Sequence, residues 1–189
     1  VLEAGRLETA PTDGEADDVA MADLLEECVN TICLRYRVPV ETVALDAEPV
    51  VVRARRVDLE MVFRNLIDNA VKYAGAEPRV EVALGLRPNG GLVTRITDNG
   101  KGIPLKARRR IFRRFVRLNP ELETNKPGTG LGLHIVQTLV RRLGGHVRVR
   151  DAVPGPGAVF EVELPGDLVA ASKARPHDDE RVDKTHQLA

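Results

Sequence analysis

Three short stretches carry residue types suited to a phosphorylated, metal-chelating ligand. Asn65, Asn69 and Lys72 recur at steps of four and three residues, so they share one stripe of any helix that holds them. Two carboxamides offer neutral oxygens to a hard cation, and an ammonium offers positive charge to phosphate, which are the needs of a Mg-nucleotide. A solvated helix face is the plainer explanation of such a stripe. The second stretch is Asp98-Asn99-Gly100-Lys101-Gly102-Ile103. A carboxylate there can accept from an exocyclic amine such as that of adenine, and the glycines let the backbone turn tightly against a flat ligand. Asp-Asn-Gly is also a common turn. The third, Gly128-Thr129-Gly130-Leu131-Gly132-Leu133, opens a helix whose unpaired amides and dipole favour an anion. It is neither a Walker A loop nor the dinucleotide fingerprint. Close packing of that helix on a sheet explains its glycines equally well.

Positioning these groups requires a helix, a strand end and a second helix, in that order. Leu59, Phe63, Leu66, Ile67, Ala70 and Ala74 form an apolar face that predicts a helix over about 57–74, with Asp58 a candidate cap. Residues 79–86 and 92–97 read as strands joined by the hairpin signal Arg87-Pro88-Asn89-Gly90-Gly91. Basic helical turns are expected over 105–117, then a polar loop to Gly128. A helix over 129–143 should stop at Gly144-Gly145, followed by strands 146–151 and 158–164 around Pro154-Gly155-Pro156-Gly157. Upstream, Met21, Leu24, Leu25, Cys28, Val29, Ile32, Cys33 and Tyr36 predict a first helix, with short strands at 38–45 and 50–54. The fold class is α/β, with antiparallel hairpin pairs and helices over one face.

Composition narrows the function. The 189 residues carry 28 Lys plus Arg against 28 Asp plus Glu, 43% hydrophobic and 30% charged, as in an ordinary globular protein. Zero net charge gives no support to nucleic acid or an anionic membrane as the main partner. Cys28 and Cys33, five apart on one helix, read as buried thiols in a reducing, cytoplasmic setting. No stretch approaches the roughly 18 apolar residues of a membrane span, so no direct membrane contact is expected. Lys106, Arg108, Arg109, Arg110, Arg113, Arg114 and Arg117 form a cationic run without an acid. It reads as a solvated face, a docking surface for a partner domain, or a device that steers an anion.

The motifs in order resemble the catalytic ATP-binding domain of bacterial sensor histidine kinases, in the superfamily that includes gyrase, mismatch-repair and heat-shock chaperone ATPases. Asn65-Leu66-Ile67-Asp68-Asn69-Ala70-Val71-Lys72-Tyr73 looks like the N box, Asp98 to Gly102 like the first glycine box, Phe112 to Phe115 like the F box, and Gly128 to Gly132 like the second glycine box. The resemblance covers about residues 20 to 165. It implies an α+β two-layer sandwich, the Bergerat fold, in which a mixed, mostly antiparallel sheet of about five strands is covered on one face by about three helices.

It also implies roles. Asn69, with Asn65 nearby, would hold Mg²⁺; Lys72 would reach the phosphates and Tyr73 would line the nucleotide pocket. Asp98 would accept from the adenine amine, with Gly100, Gly102 and Ile103 beside the base. Gly128, Thr129, Gly130, Leu131 and Gly132 would meet the phosphates, with Arg117 and Lys126 as further contacts. Residues 118–127 would form a lid pinned by Phe112 and Phe115. Where ATP-hydrolysing relatives carry a Glu, four residues before the Mg-binding Asn, this chain has Asn65. An amide cannot take a proton at neutral pH, which favours transfer to a histidine over hydrolysis.

The four histidines, His134, His146, His177 and His186, all follow the N box, whereas the family's phosphoacceptor precedes it. The expected organisation is therefore the end of a dimerisation helix and an acidic linker over 1–18, a catalytic domain over 19–165 and a disordered tail over 166–189. Expected partners are ATP, the chain's own dimerisation and phosphoacceptor domain and a response regulator. A non-catalytic ATP sensor and an ATPase are the alternatives.

Overall fold

A computed structural model describes residues 16–88, 90–118 and 129–168. Among them, seven strands and three α-helices run in the order β1 (Asp17–Ala20), α1 (Met21–Tyr36), β2 (Val43–Ala47), β3 (Val51–Ala54), α2 (Arg56–Tyr73), β4 (Val80–Leu86), β5 (Leu92–Asp98), α3 (Gly132–Arg142), β6 (His146–Asp151) and β7 (Ala158–Leu164). The main sheet has five strands in the order β2-β4-β5-β7-β6. Of its pairs only β2 and β4 are parallel, and α2 lies in the crossover that such a pair requires. The expected mixed, mostly antiparallel sheet and three helices are therefore present.

Strand alternation sorts the sheet into two faces. Val80, Val82, Leu84, Leu92, Ile96, Phe160, Val162 and Leu164 are buried on one side with the apolar stripes of all three helices. The other side is charged. There Glu161, only 4% exposed, accepts from Arg95 Nε at 2.9 Å and Arg150 at 3.1 Å, while Glu163 pairs with Arg87 at 2.6 Å and with Arg148. A sheet covered on one face presents its polar positions to water on the other, and cross-strand ion pairs suit that face.

Five expectations change. Asp17 and Asp18, expected in a linker, instead pair with Ala54 and Arg53 in a small β1–β3 sheet. Asp58 caps nothing: it is buried and binds Arg142 at 2.5 Å, tying the start of α2 to the end of α3. The third helix starts at Gly132, not Thr129, because Gly130 adopts φ +70°, outside the helical region. Residues 105–117 make two short 3-10 turns, Leu105–Ala107 and Arg110–Phe112. Only Ala107, Ile111 and Phe112 are buried in that segment, too few apolar positions to seat a longer helix. At the other end, Gly166–Leu168 turn once more and Leu168 packs on the core.

Both cysteines are free and buried on α1, and burial pushes the Cys28 thiol up to about 12. No helix among the described residues is long and apolar enough to cross a membrane.

Candidate functional site

The N-box stripe lies on α2, where Asn65, Asn69 and Lys72 are all half-buried. Asn65 is anchored by its own helix: Nδ2 donates to Met61 O at 2.7 Å, which leaves Oδ1 turned toward the start of α3. Asp68, in the same motif, serves packing. It accepts from Tyr36 Oη at 3.2 Å and Arg35 at 3.1 Å, holding α2 to α1. Burial, with Asp68 beside it, pushes the Tyr36 hydroxyl up to about 12. At the end of α2, Lys72 Nζ stands 4.9 Å from the centre of the Tyr73 ring, a cation–π distance.

The end of β5 meets the end of α2 with no room between them for a side chain. A β-carbon at Gly100 would fall 2.2 Å from Tyr73 O. Asp98, 6% exposed, accepts on Oδ1 from Gly100 N–H at 2.8 Å and Ala158 N–H at 3.3 Å. The other oxygen takes part in neither bond. Burial raises the Asp98 carboxyl above the ordinary aspartate value, and the two N–H groups oppose that rise. Gly157 packs on the Asp98 carbonyl, and Gly102, at φ +71°, packs on Gly157.

Asn99 staples the loop after α2. Its Oδ1 accepts from Gly75 N–H at 3.2 Å and Arg79 N–H at 3.0 Å, and its Nδ2 donates to Glu77 O at 2.8 Å. Neither Asn99 nor Gly157 stands out in the sequence as more than a turn residue. For Asn99 the only signal is its place beside Asp98.

The first turn of α3 completes the site. Leu131 precedes it, and among the described residues no side-chain cap from that position takes the leading amides. Gly130 lies against the backbone of Phe115, whose N–H donates to Gly130 O at 3.0 Å. That bond corrects one expectation: Phe112 is buried, edge-on to Phe160 at 6.5 Å, but Phe115 is 71% exposed and holds φ +62°. The backbone of Phe115, not its ring, braces the glycine segment. A β-carbon at Gly132 would come to 2.5 Å from Asn65 Oδ1.

The sequence-derived residues thus gather from three elements. Asn65 meets Gly132, Tyr73 meets Gly100, and Asp98 sits beneath Gly100. Ile103 is half-buried, its carbonyl accepting from Arg108 Nε at 3.0 Å; Arg117 is half-buried and Thr129 exposed. Lys126, Gly128 and most of the expected lid lie outside the described residues. Two carboxamides on a helix beside uncapped amides suit a hard cation that keeps most of its ligands as phosphate oxygen and water. Among the described residues no group of three or more His, Cys, Asp or Glu could cage a metal.

Residues 54–168 match the family model described as histidine kinase-, DNA gyrase B-, and HSP90-like ATPase. The chain belongs to this family. Within it, the described residues form the catalytic ATP-binding domain of a histidine kinase. The chain is 37% identical over 182 residues to the sensor histidine kinase AruS of Pseudomonas aeruginosa, a match covering 93% of this chain and 18% of AruS. Among solved structures, the mycobacterial sensor histidine kinase MprB superposes with a TM-score of 0.68 at 30% identity, over 79% of this chain and 97% of that one. Full-length ShkA, crystallised with AMPPNP, gives a TM-score of 0.73 at 27% identity, over 90% of this chain and 35% of ShkA. The histidine-kinase domain described here thus spans under a fifth of AruS.

Proposed function

We propose that the domain binds Mg-ATP between α2 and the first turn of α3 and transfers its γ-phosphate to a histidine on a dimerisation and phosphoacceptor domain. A response-regulator aspartate would be the next acceptor. The observation that supports this reading is the convergence of the Asn65 oxygen on Gly132, which sets the carboxamide stripe against a helix start that Leu131 leaves without a side-chain cap. Asn69, with Asn65, would hold Mg²⁺, which when bound neutralises phosphate charge and orients the chain of phosphates. Lys72 and the segment from Gly128 to Gly132, Thr129 included, would contact phosphate oxygens, with Arg117 and Lys126 beside them. Asp98 would accept the adenine amino hydrogen on its second oxygen, with Gly100, Gly102, Ile103 and Tyr73 around the base.

Transfer in this site rests on positioning, not on proton removal. A neutral imidazole already carries a free lone pair, and Asn65 has no basic oxygen with which to activate water. His134 is a poor acceptor, since its Nε2 accepts from Arg114 Nε at 3.0 Å and its Nδ1 lies 3.2 Å from Phe112 O. The acceptor histidine would lie on a separate phosphoacceptor domain, and the buried thiols suit a cytoplasmic setting.

The test is incubation of the chain with γ-labelled ATP and a separately made phosphoacceptor domain. Acid-labile label on that domain's histidine is expected, with none on the chain alone. ATP binding without transfer would make the domain a regulatory sensor, and steady phosphate release by the chain alone would make it an ATPase.

A further inference from the structure

Among the described residues β6 is an outer strand of the main sheet, bonded on one side only, to β7. Its hairpin fixes which backbone groups face outward. Ala152 N–H donates to Gly157 O at 3.1 Å, and facing residues of an antiparallel ladder alternate between bonded and non-bonded pairs. Counting back from that bond, Arg150 with Val159 and Arg148 with Glu161 are bonded pairs. Val147 and Val149 therefore turn their N–H and C=O groups away from β7.

Those groups open onto a groove of about 740 Å³. Arg148 and Arg150 lie along its strand wall; Arg108, Arg109 and Arg113 flank the two 3-10 turns, and Arg141 comes from α3. Phe112, Val147 and Val149 supply its apolar lining, and among the described residues no acid lines it. Arg108, Arg148 and Arg150 are steadied by Asp151, Glu163 and Glu161. Among the described residues, Arg109, Arg113 and Arg141 enter no ion pair. Charges on an edge strand commonly serve to prevent stray pairing. That role needs charges on the strand itself, whereas most of these arginines come from other elements and face the strand across a hollow.

We propose that this groove binds an extended acidic protein segment as an added strand on β6. The segment's backbone would bond to Val147 and Val149. Its side chains, alternating between faces, would place carboxylates against Arg148 and Arg150 on one side and against Arg109, Arg113 and Arg141 on the other. Guanidinium forks match carboxylates two bonds at a time, which fits the use of arginine alone for charge here. Arg141 lies about 14 Å along α3 from Gly132, by the helix rise, so the groove stands apart from the nucleotide site and does not rest on that reading.

The test is titration of the ¹⁵N-labelled chain with a short peptide of alternating Glu and Thr. Two probes serve as controls, the same peptide N-methylated at alternate amides and inorganic tripolyphosphate. Saturable binding is expected, with the Val147 and Val149 amides shifted and protected from exchange. N-methylation should weaken binding by about tenfold or more, as should Arg113→Gln and Arg141→Gln, each removing a charge-assisted hydrogen bond. Equal binding of the N-methylated peptide, tripolyphosphate binding as tightly as the acidic peptide, or no saturable binding would each overturn the proposal.

Discussion

The Asn65 carboxamide oxygen rests against Gly132, so close that a β-carbon at the glycine would stand 2.5 Å away. Asn65 cannot simply rotate aside, because its Nδ2 is bonded to Met61 O at 2.7 Å. With Asp58 bound to Arg142 at the opposite ends of the same helices, α2 and α3 are pinned antiparallel at two points. One pin is structural, with its carboxylate buried; the other lies in the proposed phosphate site.

Gly132→Ala is expected to separate folding from binding. Alanine's better helix propensity offsets the loss of the Asn65–Met61 bond that displacing Asn65 entails, so stability should change by no more than about 1 kcal/mol. The displaced Asn65 should weaken Mg-ATP by about tenfold or more, the scale of removing one charge-assisted hydrogen bond. Thermal melting and nucleotide titration of the same sample check the pair.

Gly100→Ala should do damage of another kind. Its β-carbon would lie 2.2 Å from a backbone carbonyl, Tyr73 O, which has no rotamer in which to escape. The end of α2 must move, and a cost of about 2 kcal/mol or more in denaturant unfolding is expected, along with loss of nucleotide binding.

Nucleotide affinity should carry the titration of Asp98. Its carboxyl is raised by burial, so protonation sets in above the ordinary aspartate range. The ionised form is the acceptor for an adenine amine, so affinity is expected to fall as pH drops toward that raised value and proton uptake to accompany release of ligand. Calorimetry in buffers of different ionisation heat measures the linkage, and in Asp98→Asn it should vanish.

The charged face of the sheet makes a stability prediction. Burial works to raise Glu163, but Arg148 and Arg87 together hold it below the usual carboxylate value. A depressed folded value means that its contribution is fully present above the unfolded pKa and is lost as pH falls through the folded one. Urea unfolding at a series of acidic pH values should show this loss, and Glu163→Gln should flatten it.

The site was largely legible because its chemistry is local. Asn65, Asn69 and Lys72 share a helical stripe, and Asp98, Gly100 and Gly130 sit in short motifs that each have a plainer use alone but stand out by their order along the chain. β6 and β7 were legible to the residue because alternation is strong on a sheet with one wet face. The rest depends on partners distant in sequence. Nothing near Asp58 points to Arg142, and nothing in Asp17 or Asp18 signals pairing with β3. Asn99 looks like a turn residue until Gly75, Glu77 and Arg79 are seen around it. The run of arginines over 108–117 left a solvated face, a docking surface and anion steering open; folding splits it, sending Arg114 to His134 and Arg108, Arg109 and Arg113 to the groove.

The most direct measurement is the base preference of the site. Asp98 Oδ1 is occupied by two backbone N–H groups, so the proposal gives the second oxygen to the base. An ATP analogue that resists hydrolysis should bind at least about tenfold more tightly than its inosine counterpart, whose oxo group brings an acceptor against an acceptor. In Asp98→Asn the Oδ1 bonds persist and the amide nitrogen faces the base, so the preference should shrink or reverse. Equal affinity of the wild-type chain for the two nucleotides, unchanged by Asp98→Asn, would contradict the placement of adenine on Asp98 and with it the proposed site.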